Sequence, residues 1–371
     1  GLLSINDPNL QFNFLGELDL NTEIPRFDFN MNLKRALPSK LHLGKNFPDA
    51  EIAFKMDANF DGNRIDNING AIVVKEGYYK NRNGEFNLQG MELKTIPQLN
   101  ENALLFTSDF FDVSINGKYN FRSIVSSFQK IIHHYIPSSN FEFTNAEDSN
   151  NFEYRFNVNE LNELSKVFIP DLEFETPFLL YGKIDSPNND FQFNGSIPGI
   201  KYKNIWARNI FIGNQNIGNQ YSSKFRIGEI FHRNGMELYN FTIDSKVSDN
   251  RLKNLISWSN FDELTYSGAI RTETQFSRSD TTNQLHVEIK GLPSQIYVAD
   301  TLWSITPFTA IFDSISLQIM DFSIVHINQE FAANGKIVGG KTDRLIIDLK
   351  NIDLSYFDKY FEQDIKLEGI T

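Results

Sequence analysis

Apolar and polar residues alternate along most of the chain with a period of two. Ile52, Phe54, Met56, Ala58 and Phe60 alternate with Glu51, Lys55, Asp57, Asn59 and Asp61. Phe111, Val113, Ile115, Gly117, Tyr119 and Phe121 alternate with Asp112, Ser114, Asn116, Lys118 and Asn120. The pattern recurs at Phe152-Tyr154-Phe156-Val158, Leu285-Val287-Ile289, Ile315-Leu317-Ile319, Phe331-Ala333-Gly335-Ile337 and Leu345-Ile347-Leu349. Successive side chains of a strand point to opposite faces, so these strands have one apolar and one polar face, as in antiparallel sheets wetted on one side. Turn signals separate them, among them Asp61-Gly62-Asn63, Asn83-Gly84 and Gly339-Gly340.

Two segments depart from this period. Ile124, Val125, Phe128, Ile131, Ile132, Tyr135 and Ile136 have helical spacing, and Pro137 ends it, which predicts a helix over 122–136. Leu161, Leu164, Val167 and Phe168, stopped by Pro170, predict a second over 159–169. A short third helix is expected near Asn250–Trp258. The stretches 145–151 and 214–223, rich in Asn, Ser and Asp, read as exposed loops. The organisation expected is a β segment over 1–121, a helix-containing insertion over 122–170 and a second β segment over 171–371. Strands of this kind form either two sandwiches or one long curved sheet whose apolar face lines a groove. Pattern alone favours sandwiches, the common globular outcome.

Composition narrows the functional classes. At 371 residues the chain exceeds the roughly 250–300 residues at which a single core stops growing. Its 34 Phe dominate the aromatics, against 13 Tyr and 3 Trp. Phe has no polar handle, which suits a surface meant to be apolar more than polar sugar recognition. The net charge of −12, without basic clusters, argues against nucleic acid and against electrostatic docking on anionic lipid. With no cysteine there is no disulfide, thiolate metal site or Cys nucleophile. No stretch approaches the roughly 20 apolar residues of a membrane-spanning helix, and no signal peptide opens the chain. Its abrupt ends suggest an internal piece of a longer protein.

The chemical motifs have plainer readings. Gly335-Lys336-Ile337-Val338-Gly339-Gly340-Lys341-Thr342 fits the phosphate-loop expression, which requires a following helix. Leu345, Ile347 and Leu349 follow at period two instead, so the segment reads as a hairpin. Asp57, Asn59, Asp61 and Gly62 resemble the start of a calcium loop, but Ile68 stands where its bidentate Glu belongs, and the acidic residues are the wet face of a strand. The six His show no zinc-binding spacing, and no nucleophile elbow is present. No cofactor, metal site or catalytic residue is assigned.

In the C-terminal third, Leu292-Pro293-Ser294-Gln295-Ile296-Tyr297-Val298-Ala299-Asp300 leads to Trp303-Ser304-Ile305. Asp321-Phe322-Ser323-Ile324, Asn328-Gln329-Glu330, Ala333-Asn334-Gly335-Lys336-Ile337, Asp343-Arg344-Leu345 and Asp348–Leu354 follow. This order resembles the TamB-like translocation and assembly modules of diderm bacteria, within the AsmA-like group. Upstream, Ser114–Tyr119, the 122–136 helix and Ile197-Pro198-Gly199-Ile200-Lys201-Tyr202 are similar to the interior of that family. The resemblance implies a long β-taco, a ribbon folded lengthwise into a hydrophobic groove. It implies a periplasmic location with an inner-membrane anchor outside this segment. It also implies phospholipid acyl chains and a BamA-like outer-membrane barrel protein as partners, and no catalysis. The groove lining expected is Phe54, Met56, Phe60, Val113, Ile115, Tyr119, Phe152, Phe156, Val287, Ile289, Leu317, Ile319, Leu345 and Ile347. The alternative is a tandem β-sandwich module binding carbohydrate or a protein partner.

Overall fold

A computed structural model describes residues 1–43, 49–97, 102–139, 149–233, 235, 237–260, 265–279, 283–313, 316–338 and 344–352. Their strands form one antiparallel sheet of 25 strands, accompanied by two α-helices. One sheet, rather than facing pairs of sheets, replaces the sandwiches that pattern alone favours. Alternation states that a strand has an apolar face; it does not state what that face meets.

The chain divides into two units, the first comprising 1–127 and 146–203, the second 128–145 and 204–371. The strands of the first are β1 (Leu2–Asp7), β2 (Leu10–Asp19), β3 (Arg26–Ala36), β4 (Glu51–Asp61), β5 (Asn69–Asn81), β6 (Gly84–Leu88), β7 (Met91–Pro97), β8 (Asn102–Ser108), β9 (Phe111–Lys118), β10 (Asn151–Val158), β11 (Leu172–Glu175), β12 (Phe178–Asp185) and β13 (Asp190–Tyr202). Most strands pair with the preceding one, so the turn residues set the register locally. A break at Gly90 divides one extended run into β6 and β7, both paired with β5. The second unit contains β14 (Ile205–Ile217), β15 (Gln220–His232), β16 (Glu237–Ser248), β17 (Arg251–Ser259), β18 (Ser267–Arg278), β19 (Leu285–Gly291), β20 (Ser294–Val298), β21 (Thr301–Ile305), β22 (Phe308–Asp313), β23 (Ser316–His326), β24 (Gln329–Val338) and β25 (Arg344–Lys350). Pro293 and Pro307, which lack an N–H for the ladder, separate β19 from β20 and β21 from β22. β18 therefore pairs with both β19 and β20, and β23 with both β21 and β22.

Helix α1 (Ile124–Tyr135) and helix α2 (Asn162–Phe168) fall within the two ranges that the helical spacing predicts. The third expected helix is instead β17. Leu252, Ile256 and Trp258 keep the strand period there, and Asn254 occupies the position that would have made it visible. The hairpin reading of 331–349 holds in its strands, β24 and β25, which pair from Lys336↔Arg344 to Glu330↔Lys350. The Gly339-Gly340 turn, Ile315 and most of the 145–151 loop lie outside the described residues. The 214–223 stretch, expected as a loop, is instead largely strand, shared between β14 and β15.

Each helix is tied down by polar groups at strand ends. In the first unit, Asn150 is buried just before β10. Its Nδ2 donates to Ser123 Oγ at 2.9 Å and Ser127 Oγ at 2.7 Å, while its Oδ1 accepts from the Asn120 N–H at 2.6 Å. This knot fixes the start of α1. In the second unit, the Asn250 N–H donates to Tyr135 O, and the Ser138 N–H donates to Asn250 Oδ1, which satisfies the end of α1. At the end of α2, Val167 O accepts from Asn81 and Asn83 Nδ2, both at 3.0 Å. Phe168 packs against Tyr79 and Phe86.

Candidate functional site

The ladder registers show which side chains share a face, because directly opposed residues point to the same side of a sheet. In the first unit one rung runs Gly16, Phe29, Ala58, Ile72, Leu93, Phe106, Val113, Phe156, Leu180, Gly195. It crosses ten strands without one polar side chain. At about 4.8 Å per strand, its nine steps extend about 43 Å along the ladder. The next rungs are of the same kind: Phe14, Met31, Met56, Val74 and Met91 on one side, Leu18, Phe27 and Phe60 on the other. Aromatic pairs tile the face. Phe27 and Phe60 stack at 4.7 Å, Phe14 and Phe29 lie 5.0 Å apart, and Phe111 and Phe156 lie 5.0 Å apart.

The opposite face is charged. Lys55 pairs with Glu76 at 2.7 Å and Arg35 with Glu51 at 3.0 Å. The Asp57 carboxylate is held by Lys75 and Asn30. The Lys75 hydrogen bond, followed by that from Asn30, lowers its pKa below the ordinary carboxylate value. The aspartates of the calcium-like run thus belong to a solvated strand face.

The structure brings the expected lining residues of each unit onto its apolar face. Phe54, Met56 and Phe60 share that face of β4 with Val113 and Ile115 of β9 and Phe152 and Phe156 of β10. In the second unit, Ile289, Ala310, Ile319, Gly335 and Leu345 form one rung, and Val287, Phe312, Leu317 and Ile337 the next. Ile347 lies opposite Ala333. Their surroundings differ. Phe54, Met56, Phe60, Val113, Ile115, Phe156, Val287, Ile289, Leu317 and Ile319 are half-buried. Leu345 and Ile347, on β25, are exposed. Tyr119 and Phe152 are buried, packed edge-to-face in the first unit. Burial, then the nearby Asp66 charge, raises the Tyr119 pKa.

A packed core would bury its large side chains. Among the described phenylalanines only Phe110, Phe152 and Phe178 are buried, and the side chains most completely enclosed are small: Val158, Val167, Asn150, Ser123, Ser127 and Ser186. Large side chains are buried together in a cluster of the second unit, where Ile296, Trp303 and Ile305 are packed against Trp258, Ile270, Val298, Phe308, Phe322 and Ile324. Glycines open room for rings that lie flat on the sheet. Gly291 stands beneath the Phe308 ring, and a methyl group there would occupy the space of that ring. Gly117, with φ of 126°, lies opposite Phe152. A glycine opposite an aromatic residue is a known device for curving sheets.

Sequence reasoning missed one row of side chains. Asn214, Ser223, Ser245, Asn254 and Thr272 are direct ladder neighbours on β14 to β18. They lie on the same face as the rung Ile212, Phe225, Ile243, Ile256, Ile270 on one side and Tyr221, Val247, Leu252 on the other. The Ser245 hydroxyl donates to Asn254 Oδ1 at 2.7 Å, and Asn254 Nδ2 donates to Thr272 Oγ1 at 3.3 Å. The five positions come from five strands and carry no shared motif, so the only available signal was a polar residue at an inward phase of each alternation.

No family model, curated protein or solved structure matches this chain.

Proposed function

We propose that the chain is a non-enzymatic hydrophobic groove segment that carries phospholipid acyl chains between the inner and outer membranes and supports outer-membrane protein assembly beside a BamA-like barrel. On this reading it works in the periplasm and is anchored in the inner membrane by a segment outside the residues studied. The observation that carries the reading is the unbroken apolar rung through Val113 and Phe156, whose members are mostly only half-buried. An apolar wall that long, left incompletely covered by the chain's own side chains, suits an apolar ligand that comes and goes.

The energetics agree with such a task. Moving one methylene from water to an apolar environment gains about 0.8 kcal/mol, so a 16-carbon tail forfeits on the order of 12 kcal/mol when it crosses water bare. A continuous apolar wall removes most of that barrier without an energy-coupling site. The charged opposite face keeps the same strands soluble, and net negative charge repels anionic bilayer surfaces.

Photo-crosslinking residues at Phe54, Val113 and Leu317, introduced into the protein in its native cells, test the reading. Phospholipid adducts at all three positions are expected. Capture of neighbouring protein alone defeats the lipid reading, and recovery of a carbohydrate ligand turns the assignment to the binding-module alternative.

A further inference from the structure

We infer that the row Asn214–Ser223–Ser245–Asn254–Thr272 is a lane that binds the ester region of a diacyl lipid. The inference rests on the lipid reading and adds to it a chemical preference. A lane made only to pass alkyl chains needs no hydrogen-bonding groups, and the first unit passes its long rung without any. The second unit places five uncharged polar side chains in one line, flanked about 7 Å away on one side by a wholly apolar rung and on the other by Tyr221, Val247 and Leu252, with Asn216 and Thr274 at the two ends of that second rung. Charge is kept off this line. Lys224, Asp244 and Arg271 belong to the opposite face of the same strands, at positions adjacent in sequence to lane residues.

The hydrogen-bond inventory states what the lane offers. Ser245 spends its proton on Asn254, and Asn254 spends one of its two on Thr272. Among the described residues, the Ser223 and Thr272 hydroxyl protons and the second Asn254 proton have no protein acceptor. The lane therefore presents donors in an apolar setting, and their complement is an acceptor without charge. Ester carbonyls meet that description; a phosphate would bring its charge to a line that offers no cationic side chain to offset its desolvation. The mid-sheet face also lacks the free backbone edge by which a peptide strand would be bound, so a nascent protein strand is the weaker occupant.

The experiment incubates the full chain with vesicles containing equal dioleoylphosphatidylcholine and its dioleyl diether analogue, which carry no net charge, and measures bound lipid by mass spectrometry. The native chain is expected to favour the diester about five- to tenfold, the effect of about one hydrogen bond. Ser223→Ala/Asn254→Leu/Thr272→Val is expected to bring the ratio close to one with total bound lipid maintained. Thr272→Val alone, which keeps the side-chain shape, lowers the ratio if the triple variant fails to fold. A native ratio of one, or a ratio unchanged in the variants, overturns the lane and leaves the groove standing. Binding of neither lipid by the native chain overturns the lipid reading itself, and a bound peptide in place of lipid overturns the lane.

Discussion

The two units share a ladder geometry and a charged outer face but treat their apolar faces differently. In the first, polar groups of that face are gathered at the strand ends, in the fully buried knot of Asn150, Ser123 and Ser127. Between the ends runs a rung with no polar side chain. In the second, a polar row runs within the strands, three residues in from the ends of β14 to β17, and is only half-buried. The comparison teaches that a hydroxyl or amide has two uses on an apolar sheet. Enclosed and saturated with partners, it fixes a helix. Half-open and only partly paired, it is available to a ligand.

The largest expected effect tests the enclosed case. Asn150→Ala removes the partner of two buried serines and of the Asn120 N–H. It should cost about 3 kcal/mol of stability, since buried groups lose their bonds without gaining water. Asn254→Leu removes an amide with two hydrogen bonds from the half-open row and should cost under about 1 kcal/mol, because added apolar burial and solvent access offset the loss. Equal costs in denaturant unfolding would erase the distinction between the units. Next comes the reciprocal change. Val113→Asn puts an amide into the polar-free rung and should cost about 1–2 kcal/mol, whereas Ser245→Val in the lane should be close to neutral. The smallest effect belongs to the outer face. The folded pKa of Asp57 is depressed, so its contribution is present above the unfolded value and is lost as pH falls through the lower folded one. Because the group is almost fully exposed, Asp57→Asn should lower stability by no more than a few tenths of a kcal/mol above about pH 4, and the difference from the native chain should vanish as pH falls below that.

Much of this architecture was legible in the alternation. The strands around Phe54, Val113, Phe156, Val287 and Leu317 have the faces that their sequence phase requires, and both helices follow their apolar spacing and prolines. What failed to show was anything decided between strands. β17 was misread because Asn254 sits inward, where a local reading expects an apolar residue. The surroundings of the expected lining residues were not legible either: Phe152 and Tyr119 pack into a buried corner, while Leu345 and Ile347 stand exposed on β25, which pairs with β24 alone among the described strands. The Phe308 ring that needs a glycine at 291 comes from the strand paired beside it.

The sequence by itself determined the period of each segment, hence strand or helix, and the segregation of charge from phenylalanine. These are properties of neighbours along the chain, fixed by the two-residue pleat and the 3.6-residue turn. Only the tertiary structure decided that the strands join one sheet, that ten apolar residues align into one rung, and that five polar ones align into a row. Those alignments depend on register, which pairs residues far apart in sequence and is set by turns, bulges and prolines acting together.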